Sequence, residues 1–251
     1  MTSTSKTILI TGASSGLGAE MARQFAALGY DLALCARRTE RLEELKKELE
    51  SEKNVRVEVK ALDVNDHDAV FRVFREFADE FGGLDRVIVN AGLGKGQPLG
   101  TGRFDANRQT AETNFIGALA QTEAAAEIFR EQNAGHLVMI SSVSAMRGLP
   151  KNVTTYAATK AGVAHLAEGF RADVYGTPIK VTVLYPGYIV SEMSARSETS
   201  FLMASTEKGV KSMVAAIEKE KASARVPGWP WVPLGFAMKH LPFPLARRLL
   251  R

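Results

Sequence analysis

The chain has 251 residues, 45% of them hydrophobic and 24% charged, with a single cysteine, Cys35. This composition excludes a disordered or fibrous protein, and one cysteine excludes an intrachain disulfide. The formal charge is +4, yet five of the 32 Lys and Arg residues lie beyond residue 221, where no Asp or Glu occurs; the rest is nearly neutral, which argues against nucleic-acid binding.

The opening stretch, MTSTSKTILITGASSG, holds no apolar run long enough for a signal peptide. No window of about eighteen apolar residues follows, so a cytoplasmic protein without a transmembrane helix is expected. KTILIT (6–11) is the first predicted strand and runs into TGASSGLG, with a helix predicted over 16–28. Gly12 permits a sharp turn after the strand, while Gly16 and Gly18 let the backbone approach a pyrophosphate and let helix pack on strand. The helix start then offers free N–H groups to an anion. Gly12, Ser14, Ser15, Gly16, Leu17 and Gly18 are the candidate contacts. A strand-to-helix turn with no ligand would use the same glycines.

DLALCA (31–36) is the second predicted strand, followed directly by Arg37 and Arg38. An acid at this place would hold a ribose 2′-OH, whereas guanidinium groups pair with a 2′-phosphate. NADP(H) is therefore expected over NAD(H); two solvated arginines ahead of a helix are the other reading. TERLEELKKELE opens a helix predicted over 39–52, with Thr39 as N-cap and Leu42, Leu45 and Leu49 on one face.

Further predicted strands are VRVEV (55–59), LDRVIVN (84–90), HLVMIS (136–141) and IKVTVLY (179–185). Helices are predicted near 66–81, 105–132, 154–175 and 206–221. Such alternation predicts right-handed βαβ units: one α/β, Rossmann-type doubly wound domain over 1–221, its sheet mainly parallel with helices on both faces. Residues 222–251 form an extension packed on the same domain or on a neighbouring subunit. No metal is expected.

YAATK (156–160) places Tyr156 and Lys160 one helical turn apart on a shared face. A cation there would favour the phenolate and lower the pKa of Tyr156, tuning it for proton transfer. A surface helix with an incidental Tyr and Lys is the alternative.

Seven segments occur in order: TGASSGLG, LDV (62–64), NAG (90–92), TNFIG (113–117), ISS (140–142), YAATK and YPG (185–187). Together they resemble the short-chain dehydrogenase/reductase superfamily over residues 6–195. The resemblance implies a nicotinamide cofactor, hydride transfer between it and a carbonyl or alcohol, and a catalytic set of Asn114, Ser142, Tyr156 and Lys160. Tyr156 would be the general acid/base, and Lys160 would also hold the nicotinamide ribose. Ser142 would donate to the substrate oxygen, with Ser141 and Ser144 as alternatives, and Asn114 would hold a water. Asp63 and Val64 would meet the adenine, although Asp63 also reads as a helix N-cap. Asn90, Ala91 and Gly92 would lie where the cofactor crosses the sheet edge. Pro186 and Gly187 would pass under the nicotinamide, followed by Ile189 and by Ser191, which stands where relatives often carry Thr. A homo-dimer or homo-tetramer is implied. A non-catalytic NADP(H)-binding redox sensor is the alternative function.

The loops 93–104, 143–153 and 188–205 carry apolar residues, among them Leu99, Phe104, Val153, Tyr188, Met193 and Phe201. They point to an apolar ketone or alcohol, or simply to loop packing. Residues 222–251 hold both tryptophans and five of the nine prolines, with FAMKHL and LARRLLR as short helix candidates. This tail touches a membrane surface through Trp229, Trp231 and its arginines, or it caps the substrate pocket or a neighbouring subunit. The dimers and tetramers of the resembled family favour the second.

Overall fold

The computed structural model of the protein describes residues 6–192 and 202–249. The expectations for Met193, Phe201 and Arg251 lie outside the described residues, as do the side chains of Arg247 and Arg248.

Four strands are buried at every position: β1 (Thr7–Thr11), β2 (Asp31–Ala36), β4 (Arg86–Val89) and β5 (His136–Ile140). A strand without a solvent face needs helices on both sides, which parallel crossovers supply. With β3 (Val57–Ala61), β6 (Lys180–Pro186) and β7 (Ser223–Val226) they form a parallel sheet in the order β3-β2-β1-β4-β5-β6-β7. One face is covered by α1 (Gly16–Ala27), α2 (Thr39–Glu52) and α7 (Thr206–Glu218). The other is covered by α3 (His67–Phe81), α5 (Gly117–Gln132) and α6 (Thr154–Asp173). The strand order reverses between β1 and β4, and there the carboxyl ends of the strands open a crevice.

All six predicted strands and the doubly wound class appear. Three features depart from the sequence reading. The sheet continues past residue 221, because SARV (223–226) adds β7 beside β6. The helix predicted over 105–132 is α4 (Phe104–Ala111), a π turn over Glu112–Ile116, and α5. The segment ahead of FAMKHL is helical too: α8 runs Gly228–His240, with non-helical backbone at Trp229 and Pro233 inside, and α9 follows over Phe243–Leu249.

A buried polar cluster closes the amino ends of β4 and β5. Arg86 donates from Nη1 to Glu218 Oε1 at 2.6 Å and from Nε to His136 Nδ1 at 3.0 Å. His136 Nε2 meets Thr182 Oγ1 at 2.8 Å. Burial, and then the Arg86 charge, push the His136 pKa down to about 3. The unfolded chain takes up this proton below about 6.5, so it binds more protons than the fold between the two values, and stability falls as pH drops through that window. Chemical denaturation at pH 7 and pH 5 is expected to show His136 costing the native protein about 2 kcal/mol at the lower pH. In His136→Gln that part of the difference disappears.

Candidate active site

The turn after β1 is built for close approach. Gly12 has φ 65°, and a Cβ there would stand 2.9 Å from Ala91 Cα. At Gly18 a Cβ would fall 2.4 Å from the Gly12 carbonyl oxygen and 2.8 Å from Asn90 Nδ2. Side chains at either position would fill the seam between β1, α1 and β4. Gly16 opens α1, with Leu17 packed beside it on the core. Ser15, at the N-cap, makes no side-chain cap bond to the first N–H groups of α1. Its hydroxyl instead accepts from Arg38 Nη2 at 2.6 Å, and Ser14 accepts from Arg38 Nε at 3.3 Å.

Thr11 joins the two halves of the crevice. Its hydroxyl accepts from the backbone N–H groups of Asn90 (3.0 Å) and Ala91 (3.1 Å), and Asn90 Nδ2 returns a bond to the Thr11 carbonyl at 2.9 Å. Asp63 accepts from the backbone and side chain of Asn65, both at 3.0 Å, with Arg37 at 3.9 Å. The N-cap of α3 is Asp66, whose side chain accepts from Ala69 N, so Asp63 is free of that duty. Val64 is buried, with its carbonyl against Gly117.

At the ends of β5 and α6 the four candidate catalytic residues come together. Lys160 is 5% exposed, and its Nζ donates to the Ile140 carbonyl at 2.8 Å. The same ammonium lies 5.8 Å from the Tyr156 ring centroid. The Ser142 hydroxyl lies beside the Tyr156 phenol, close enough to favour its ionised form. The buried Ser141 hydroxyl is already engaged, donating to the Lys160 carbonyl at 2.7 Å. Ser144 is buried, with its Oγ unpartnered and its N–H given to Ser142 Oγ at 3.2 Å. Asn114, in the π turn, is turned inward: Leu93 N–H donates to its Oδ1 at 2.6 Å, and its Nδ2 donates to the Leu93 carbonyl at 2.8 Å. Gly92 lies between them, a Cβ there being 3.4 Å from Asn114 Oδ1 and 3.6 Å from Lys160 Nζ.

One expectation is overturned. Burial pushes the Tyr156 pKa up, and the Ser142 hydroxyl only partly opposes this. Lys160 does not bring it down: desolvation lowers its own pKa to about 8, and its head is turned onto Ile140 rather than onto the phenol. The protein without cofactor therefore holds Tyr156 as a neutral phenol at pH 7.

After β6, Gly187 donates its N–H to the Val226 carbonyl at 2.9 Å, and buried Trp231 lies directly over it. Tyr188 packs edge-on against Trp231 at 4.9 Å between centroids. Ile189 is buried and bridges to Ala204, and Ser191 lies next to Gly16. Pro186 ends β6. Leu99, Phe104, Val153 and Tyr188, from the loops expected to meet the substrate, are exposed.

Sequence reasoning missed Thr11, Arg41 and Glu192, and it offered Trp231 as a membrane contact, whereas Trp231 is buried over Gly187. Glu192 bonds Arg38 Nη1 at 3.0 Å and Arg41 Nη1 at 2.5 Å, and the two arginines hold its carboxyl down to about 2. Arg41 had a signal, since it falls three positions after Arg38. Glu192, 154 residues from Arg38, had none.

The model of the family described as short chain dehydrogenase matches residues 6–200. The chain belongs to the short-chain dehydrogenase family. It is an oxidoreductase of that family, and its relatives agree. An "uncharacterized oxidoreductase" of Mycobacterium tuberculosis is 56% identical over 246 residues, 98% of this chain and 97% of that protein. Dehydrogenase/reductase SDR family member 7B of Bos taurus is 35% identical over 77% of this chain and 61% of that protein. Among solved structures, a short-chain dehydrogenase from Sphingobium yanoikuyae in complex with NADPH superposes with a TM-score of 0.80 at 28% identity, covering 94% of each chain. An alcohol dehydrogenase from the archaeon Thermococcus sibiricus, complexed with 5-hydroxy-NADP, gives 0.77 at 27% identity over 88% of this chain and 93% of that one.

In this dehydrogenase, difference absorbance between the native protein and Tyr156→Phe, followed against pH without cofactor, is expected to place the ionisation of Tyr156 above the ordinary value of about 10. A tyrosinate signal near neutrality would contradict the burial argument.

Proposed function

We propose that the protein is an NADP(H)-dependent carbonyl reductase or alcohol dehydrogenase acting on an apolar substrate, with Tyr156 as general acid/base. The convergence of Tyr156, Ser142 and Lys160 at one strand end carries this reading. The chain's own residues fit a dinucleotide: a seam that a Cβ would fill at Gly12 and Gly18, a start of α1 that Ser15 does not cap, and a pair of arginines at the end of β2. Solved relatives hold NADPH or an NADP derivative, which supports the same class.

A bound nicotinamide cofactor would supply or accept the hydride. Gly12, Ser14, Ser15, Gly16, Leu17 and Gly18 would surround its pyrophosphate, and Asp63, Val64, Asn90, Ala91 and Gly92 its adenosine side. Pro186, Gly187, Ile189 and Ser191 would line the nicotinamide side. During reduction the phenol of Tyr156 gives its proton to the carbonyl oxygen, and burial keeps it in the protonated form this step needs. Ser142 donates to the same oxygen and stabilises its developing charge. Lys160, its Nζ anchored on the Ile140 carbonyl, would donate to the ribose hydroxyls of the bound cofactor and so set the nicotinamide against Tyr156. Asn114 fixes the Leu93 backbone and with it the wall opposite Lys160. The single, buried Cys35 and the absence of a long apolar helix among the described residues support a cytoplasmic setting.

Tyr156→Phe is expected to lower turnover about 10²–10⁴-fold, with cofactor affinity retained by fluorescence titration. Unchanged turnover would remove Tyr156 from the chemistry, and cofactor binding without turnover on any carbonyl panel would favour a redox sensor.

Arg38 is the residue this reading assigns to the 2′-phosphate, with Arg41 beside it. Glu192 now provides the anion there, and a phosphate must displace its carboxylate. Arg38→Gln is expected to weaken NADPH binding about tenfold or more and leave NADH nearly unchanged. Glu192→Gln is expected to tighten NADPH and not NADH. Equal effects on both cofactors would discard the assignment.

A further inference from the structure

The tail has two faces. Trp231 is buried over Gly187, and Gly235 lies against Arg225, so this side of α8 packs on the domain. Arg147 fastens the end of α8 by donating from Nη1 to the Met238 (3.0 Å) and Leu241 (2.6 Å) carbonyls. The opposite side is apolar and open. Trp229 is 81% exposed, Phe236 63% and Phe243 65%, with Val232 and Leu245 also exposed. Val232 and Phe236, one turn apart, share a face of α8, Trp229 stands exposed at the non-helical residue just before them, and nothing in the described residues covers the three.

Beside this face a cavity of about 610 Å³ opens between α7, β7 and α8. Lys219, Lys221, Arg225 and Lys239 line it with no Asp or Glu, and Val232 belongs to both the cavity wall and the apolar face. Arg225 reaches Met146 Sδ from Nη2 at 3.6 Å, and its buried Nε has no partner. Four cations around a hollow suit a phosphate, and an adjoining row of Trp and Phe suits the acyl boundary of a bilayer.

From this contiguity we infer that the α8–α9 face docks on an anionic phospholipid surface, with a lipid headgroup phosphate in the Lys219, Lys221, Arg225 and Lys239 cavity. Charge decides against a second copy of this chain as the occupant. A two-fold contact through the cavity would set its four cations against four more, with no carboxylate in either lining, and the apolar gain would work against that repulsion. A bilayer offers opposite charge at the height of the cavity and hydrocarbon at the height of the aromatic row. No helix among the described residues can cross the membrane, so the contact is interfacial. This inference does not rest on the cofactor or on Tyr156.

The test is co-sedimentation of the full chain with vesicles of phosphatidylcholine alone and of phosphatidylcholine mixed with phosphatidylglycerol. Binding to the mixed vesicles is expected to exceed binding to the neutral ones about tenfold or more, and to weaken with added salt. Trp229→Ser with Phe236→Ser, and separately Lys219→Gln with Lys221→Gln, are each expected to reduce it about tenfold. All four positions are at the surface or the cavity rim, and unchanged thermal unfolding and far-ultraviolet circular dichroism would show that the variants are folded. Equal sedimentation with both vesicle types, or none with either, overturns the inference. So does a change of molar mass by sedimentation equilibrium in Trp229→Ser with Phe236→Ser while vesicle binding stays as in the native protein, because the face is then covered by another subunit.

Discussion

A buried ammonium is costly to a fold unless its protons find acceptors. Lys160 meets that demand with the Ile140 carbonyl at the end of β5, while Ser141, the next residue along, sends its hydroxyl back to the Lys160 carbonyl. The two bonds run in opposite directions between one strand end and the second turn of α6. Strand and helix cannot slide past each other without losing both. Ser142 and Tyr156 are carried by the same two elements, one residue beyond Ser141 and one turn before Lys160, so their mutual contact follows from this lock.

The other half of the crevice depends on a hydroxyl. Thr11 ends β1, and its side chain satisfies two backbone N–H groups that leave β4 where no sheet partner remains for them. This keeps the seam between the strands closed up to the point where Gly12 and Gly18 bring backbone within contact of backbone. A third tie crosses the outside of the crevice, where Glu192 joins the stretch after β6 to Arg38 and Arg41 at the start of α2. It is the most exposed of the three and the one that a ligand can exchange.

Much of this was legible in the sequence, for identifiable reasons. Strands buried on both faces read as unbroken apolar runs, so ILI at 8–10 and LVM at 137–139 mark themselves. The glycine turn and the Tyr156–Lys160 pair are local, and local spacing survives folding. β7 was missed because SARV is short, half-polar and at the sheet edge, where apolar patterning is not required. Glu192 was missed because its partners lie far away along the chain. The direction of the Tyr156 shift was misjudged for a different reason. Spacing on a helix fixes where two Cα atoms stand, but not that the lysine head turns toward the Ile140 carbonyl, nor how much water the phenol loses. Trp231 could be marked as unusual by its proline-rich surroundings, but its place over Gly187 comes only from the path of the chain after β7.

The π turn at Glu112–Ile116 has a mechanical meaning. Each residue of an α-helix turns the chain by about 100°, so one surplus residue in a single turn offsets everything after it by about that angle. α4 leans on α6, whereas α5 lies along α3. The rod is in effect a crank, with two arms aimed at different neighbours and Asn114 at the elbow. Shortening the chain by one residue there would straighten the crank, bringing α5 round with its buried seam, Ala118, Ala125 and Phe129, no longer facing the sheet. The surplus residue therefore sets the rotational phase of half a core layer as well as the direction of one amide.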